Sequence, residues 1–94
     1  MAVVQAPVEI VWALLTDPAG YGAFWDMRVS RVVPPGPARR GQVVEGHPVR
    51  LTIEAVDAAR HQIRYAATLP LGLTSTNVLT CTPLDAASCR VAFG

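Results

Sequence analysis

The spacing of apolar positions changes once along the chain. Near the N-terminus, Val8, Val11, Trp12 and Leu15 recur at i, i+3, i+4 and i+7, which is one helical stripe. A short apolar strand, "MAVVQ", precedes it. Pro7 suits the first helical position, where its missing N–H costs nothing. Thr16-Asp17-Pro18 ends the helix, because the residue before a proline is pushed out of the α region. Asp17 is then placed to cap a second short helix through "PAGYGAFW". Two glycines weaken that helix, so packing by Tyr21, Phe24 and Trp25 must hold it.

After Trp25 the period becomes two. "RVSRVV" reads as a strand, and Pro34-Pro35-Gly36-Pro37 ends it as a loop that cannot pair. "GQVVEG" is a short strand. "VRLTIEAV" alternates, with Val49, Leu51 and Ile53 on one face and Arg50, Thr52 and Glu54 on the other. Asp57-Ala58-Ala59 is a turn. "HQIRYAATL" puts Ile63, Tyr65 and Ala67 opposite Gln62, Arg64 and Ala66. Pro70-Leu71-Gly72 breaks the chain before "LTSTNVLTCT". There Leu79 and Cys81 take one face, and Thr76, Val78 and Thr80 the other. "PLDAA" turns into a last strand, "SCRVAFG". The expected order is strand, two short helices, then about six strands in an antiparallel meander, an α+β domain over residues 1–94.

Composition narrows the function. Hydrophobic residues make up 51% of the 94 and charged residues 16%, which excludes a disordered chain. No apolar run reaches the ~18 residues of a membrane span, and no signal peptide is visible, so a cytoplasmic location is expected. All eight basic residues are arginines, scattered from Arg28 to Arg90 rather than clustered with aromatics; a nucleic-acid partner is not expected. Cys81 and Cys89 form no C-x-x-C pair, and His47 and His61 complete no zinc spacing, so neither metal nor cofactor is expected. The two cysteines read as reduced thiols. No nucleophile elbow, zinc-protease motif, phosphate loop or paired-carboxylate signature is present.

The order of segments resembles a known family. "APVEIVWALLTDP" followed closely by "YGAFW" resembles the opening of the START-like (SRPBCC) superfamily, in its polyketide cyclase/dehydrase branch. "GQVVEG", "HQIRYAATLPLGL" and "LTCTPLDAASCRVAF" follow in the matching order, so the resemblance covers essentially the whole chain. It implies a helix-grip fold, in which a curved antiparallel sheet wraps a long C-terminal helix around a ligand cavity. The chain stops at Gly94, before such a helix. The resemblance makes Trp12 a core residue and has Tyr21, Phe24 and Trp25 wall the cavity entrance.

The expected concave face carries Val49, Leu51, Ile53, Ile63, Tyr65, Ala67, Ser75, Asn77, Leu79 and Cys81. From it and the entrance, Trp25, Leu51, Ile53, Ile63, Tyr65, Ser75, Asn77 and Leu79 are the candidate ligand-binding residues; no catalytic residue is assigned. An apolar lining with few polar groups suits a small-molecule pocket and equally an ordinary core. Tyr65 reads either way. His61, beside a turn, reads as exposed rather than as a base. Binding of a hydrophobic or aromatic small molecule is the first expectation. A cyclase or dehydratase using Tyr65, Asn77 and His61, and an inactive remnant of the fold, are the alternatives. An open apolar patch of about 500 Å² on the concave face would further favour a homodimer; the alternative is collapse of the sheet onto its own helices, which erases the cavity.

Overall fold

The computed structural model describes residues 2–23, 25 and 27–94. Strand β1 (Ala2–Val4) leads into helix α1 (Val8–Leu15) and a 3-10 helix over Pro18–Ala23. Six strands follow: β2 (Arg28–Val33), β3 (Val43–His47), β4 (Arg50–Asp57), β5 (Gln62–Thr68), β6 (Thr74–Asp85) and β7 (Ser88–Phe93). A one-turn 3-10 segment, Pro70–Gly72, joins β5 to β6. All pairings are antiparallel, and the strands form one seven-stranded sheet in the order β1-β7-β6-β5-β4-β3-β2. The meander is as expected, and β1 returns to pair with β7. The domain is α+β, consistent with a helix-grip sheet.

Helix α1 buries the expected stripe of Val8, Val11 and Leu15. Trp12 is half-buried, its ring edge-on to His61 at 5.2 Å. Pro7 stands one position earlier than expected, as the N-cap, and its carbonyl accepts from the N–H groups of Ile10 and Val11. The Thr16 hydroxyl closes the other end by donating to the Trp12 carbonyl at 2.9 Å. Asp17 caps through its backbone, not its side chain: its carbonyl accepts from the Gly20 N–H at 3.0 Å. The segment after it winds as a 3-10 helix. Gly20 and Gly22 supply little α propensity, and a tighter short turn results.

Strand alternation follows the sequence closely. Leu51, Ile53, Ile63, Tyr65, Ala67, Leu79 and Cys81 are all buried on one face. Arg31, Glu45 and Arg50, and Arg64 with Glu54, form ion pairs across strands. One boundary differs. Strand β6 runs through Pro83 and Leu84 to Asp85, because the tight turn is only Ala86-Ala87, with the Asp85 carboxylate accepting from the Ala87 N–H at 2.8 Å. Register shifts at Val29/Arg31, Ile53/Ala55 and Pro83/Asp85 bend their strands.

Helix α1 lies against β6 and β7, and the first 3-10 helix lies against β2. They cover only part of the apolar face. The Pro-rich loop is fastened beneath them: the Gln42 amide donates to the carbonyls of Pro34 and Gly36, and Ala38 N–H donates to Thr16. Gln42 is fully buried; its amide nitrogen is bonded twice, while its Oε1 has no hydrogen-bond partner among the described residues. Among the described residues, no helix is long and apolar enough to cross a membrane.

Candidate functional site

The part of the apolar face left uncovered is a pocket of about 380 Å³. Alternation on β4 and β5 supplies Leu51 and Ala67, and Val49 enters from the turn before β4. Leu69 closes the end near the β5–β6 connection. Trp25 and Met27, between the first 3-10 helix and β2, form one side, and Phe93 at the end of β7 forms another. The polar groups are Ser75 and Asn77 on β6. Asn77 donates an amide hydrogen to the Ser75 hydroxyl at 3.0 Å. That bond leaves the Ser75 proton and the Asn77 carbonyl oxygen unused.

Beneath the pocket lies an aromatic cluster. The Trp25 ring stands 5.3 Å from Phe93 and 5.8 Å from Tyr65, and Tyr65 stands 6.2 Å from Phe93. Tyr21 packs on Trp25 at 4.5 Å. These separations suit edge-on and tilted aromatic pairs, which add stability beyond their buried area. Burial pushes the Tyr21 phenol up to about 12, and pushes Tyr65 higher still. Both are therefore neutral donors at ordinary pH, not bases.

The eight candidate binding residues divide in two. Trp25, Leu51, Ser75 and Asn77 line the pocket. Ile53, Ile63, Tyr65 and Leu79 share its face of the sheet but are fully buried, forming the layer behind it. Of the expected entrance residues, Tyr21 is fully buried under Trp25, and Phe24 lies outside the described residues. Met27, Leu69 and Phe93 were not among the candidates. Met27 stands just outside a strand, where alternation carries no signal; Leu69 continues the Ile63, Tyr65 and Ala67 face of "HQIRYAATL", one residue past the end of β5.

The trio suggested for catalysis does not assemble. Asn77 pairs directly with Tyr65, but His61 precedes β5 by one residue and packs on Trp12. Four residues along a strand separate His61 from Tyr65 by about 13 Å. Cys81 and Cys89 are both buried and both free. Burial, with Cys89 beside it, pushes the Cys81 thiol up to about 12, so it is an inert thiol. Among the described residues, no group of three or more His, Cys, Asp or Glu is placed to hold a metal.

No curated protein and no solved structure matches the chain. A family described as polyketide cyclase/dehydrase and lipid transport does match, over residues 2–93. With nearly every residue inside that match, and with the sheet order and helix placement described above, the chain belongs to the polyketide cyclase/dehydrase and lipid transport family, within the START-like group that its segment order resembles.

Proposed function

We propose that this chain binds a hydrophobic or aromatic small molecule in the pocket between the sheet and the side chains of Trp25 and Met27. One observation carries the reading. The pocket has the size of a small-molecule site, and its wall is apolar apart from one pre-paired Ser75–Asn77 unit. An apolar body is held by area, and the Ser75 hydroxyl or the Asn77 carbonyl fixes its orientation. The described lining contains no titratable side chain, which favours holding a ligand over moving a proton. The family description, which joins cyclases with lipid transport, supports an apolar ligand and leaves both activities within the family.

Two further parts of the reading concern setting. Two buried free thiols support a reducing, cytoplasmic location. Exposed leucines beside the pocket mouth support self-association as a homodimer. The binding test is a fluorescence titration with N-phenylnaphthylamine, an uncharged aromatic probe. Saturable one-to-one binding is expected in the parent chain. It should be lost in Ser75→Trp, which fills the mouth from an exposed position. Absence of saturable binding in the parent chain, or equal binding in the variant, refutes the site.

A further inference from the structure

A second hollow, of about 610 Å³, opens beside the first and shares two of its walls, Trp25 and Met27. Its remaining lining is Gly22, Arg28, His47 and Pro48. The first pocket is apolar and the second carries a cation. Arg28 and His47 are paired directly across β2 and β3 at one end of the sheet, and both border this hollow. Arg31, Arg50, Arg60 and Arg64 are each ion-paired to a carboxylate. Among the described residues Arg28, like Arg39, Arg40 and Arg90, has no such pair, and neither it nor His47 has a carboxylate partner; Arg28 is the one of these that borders a hollow next to the pocket.

The wall between the hollows is thin. Gly46 lies so close to it that a Cβ there would stand 2.7 Å from the Met27 methyl and 2.7 Å from the Arg28 carbonyl. The absence of a side chain at Gly46 leaves the room that the Met27 methyl and the Arg28 backbone carbonyl occupy. A guanidinium offers five N–H donors in a planar fork that fits a carboxylate, sulfonate or phosphate, and it has no acceptor for a neutral hydroxyl. A ligand that fills the apolar pocket and extends past Met27 would therefore present its head to Arg28.

From this adjacency we infer that the ligand is an amphipathic anion, with an apolar or aromatic body in the Leu51–Phe93 pocket and an acidic head at Arg28 and His47. The inference rests on the binding reading above and specifies the ligand class for that same site. Because Arg28 and His47 are exposed, the head-group contribution is modest and screened by salt.

The test compares two probes with the same aromatic body, uncharged N-phenylnaphthylamine and anionic anilinonaphthalene sulfonate. At low salt the sulfonate is expected to bind at least tenfold more tightly, about 1.4 kcal/mol. The advantage should shrink with added salt. In Arg28→Gln/His47→Gln, the sulfonate should fall to the level of the neutral probe, which itself binds unchanged. If the neutral probe binds but the sulfonate gains nothing, or keeps its gain in the double variant, the acidic head is wrong and the apolar pocket stands. If neither probe binds saturably, the pocket reading fails and this inference fails with it.

Discussion

Tyr65 donates its hydroxyl to Tyr21 across 2.7 Å, and Tyr21 passes its own proton to the Leu15 carbonyl at 2.6 Å. The direction follows from the end of the chain of bonds. A carbonyl only accepts, so Tyr21 is the donor to Leu15, and Tyr65 must be the donor to Tyr21. This relay bolts three elements together: the last turn of α1, the first 3-10 helix, and β5 in the middle of the sheet. It also holds Tyr21 and Tyr65 around Trp25, so the pocket wall depends on it.

The relay predicts unequal effects from similar substitutions. Tyr65→Phe removes one donor and leaves Tyr21 bonded to Leu15, at a cost of about 1 kcal/mol. Tyr21→Phe leaves a buried Tyr65 hydroxyl and the Leu15 carbonyl both without this partner, at about 2–4 kcal/mol. The double variant should cost less than the sum of the two, because no orphan donor remains. Urea unfolding of the three variants measures the order. A Tyr65→Phe cost equal to or above that of Tyr21→Phe contradicts the stated direction of donation.

The same burial predicts an alkaline limit. The folded-state pKa of Tyr21 lies above its ordinary value of 10.0, at about 12, chiefly because burial disfavours the phenolate. Tyr65 is raised for the same reason, and Cys81 is raised from 9.0 to about 12. For groups raised in the folded state, the contribution is complete below the unfolded values. It declines as the unfolded chain loses protons that the folded chain keeps. Stability should therefore be unaffected by these groups near neutrality and should fall from about pH 9–10 upward, by up to about 1.4 kcal/mol per pH unit for each group. Urea midpoints across that range check it. Tyr21→Phe/Tyr65→Phe should flatten the decline; a decline of unchanged slope assigns it to other groups.

Helix α1 and the strands were legible because each carries a run of regular period, even where a bulge interrupts β2, β4 or β6. Val8, Val11 and Leu15 mark one helical stripe, and Leu51, Ile53, Ile63, Tyr65 and Ala67 mark one strand face. The same alternation put Ile53 and Tyr65 together with Leu51 as pocket residues. Alternation reports which face a residue takes, but not whether another element covers it there. The 3-10 helix and Trp25 cover Tyr65, while Leu51 remains open to the pocket, and no local pattern distinguishes them. Met27 was illegible for a different reason. Its place depends on the close approach permitted by Gly46, nineteen positions later in the chain.

Gly46→Ala tests that contact. The new Cβ would meet the Arg28 carbonyl at 2.7 Å, and backbone cannot swing aside as the Met27 methyl can. The expected cost is about 1–3 kcal/mol, with weaker binding of the neutral probe as Met27 is displaced. Gly22→Ala is the comparison, since its Cβ would stand 3.2 Å from the Met27 carbonyl and needs only a small adjustment. Thermal unfolding should rank Gly46→Ala as the more damaging. The reverse order, or equal effects, would mean that β2 shifts freely and that the wall is not fixed by Gly46.

The final prediction concerns assembly. Leu71 is 98% exposed and holds a left-handed backbone, φ 69°, that a leucine adopts only at a cost. Leu73 is 63% exposed, and both lie in the β5–β6 connection next to Leu69, which lines the pocket; the Leu73 carbonyl accepts from the Leu69 N–H at 2.7 Å. The sheet edges are poorer contacts: β1 has only three residues, and β2 carries exposed Arg28 and Arg31. Burying Leu71 and Leu73 from each of two copies is worth about 6–12 kcal/mol. Association costs about 4–15 kcal/mol in lost freedom, a sum of the same size, so a dimer joined mouth to mouth is expected to be weak and reversible. Sedimentation should show a concentration-dependent dimer in the micromolar range or weaker. Leu71→Asn should abolish it while keeping the fold, because asparagine tolerates the left-handed conformation. A ligand that fills the pocket competes for the same surface, so saturating N-phenylnaphthylamine should shift the parent chain toward monomer. A parent chain that stays monomeric at high concentration, or a dimer indifferent to both Leu71→Asn and the probe, rules out this interface.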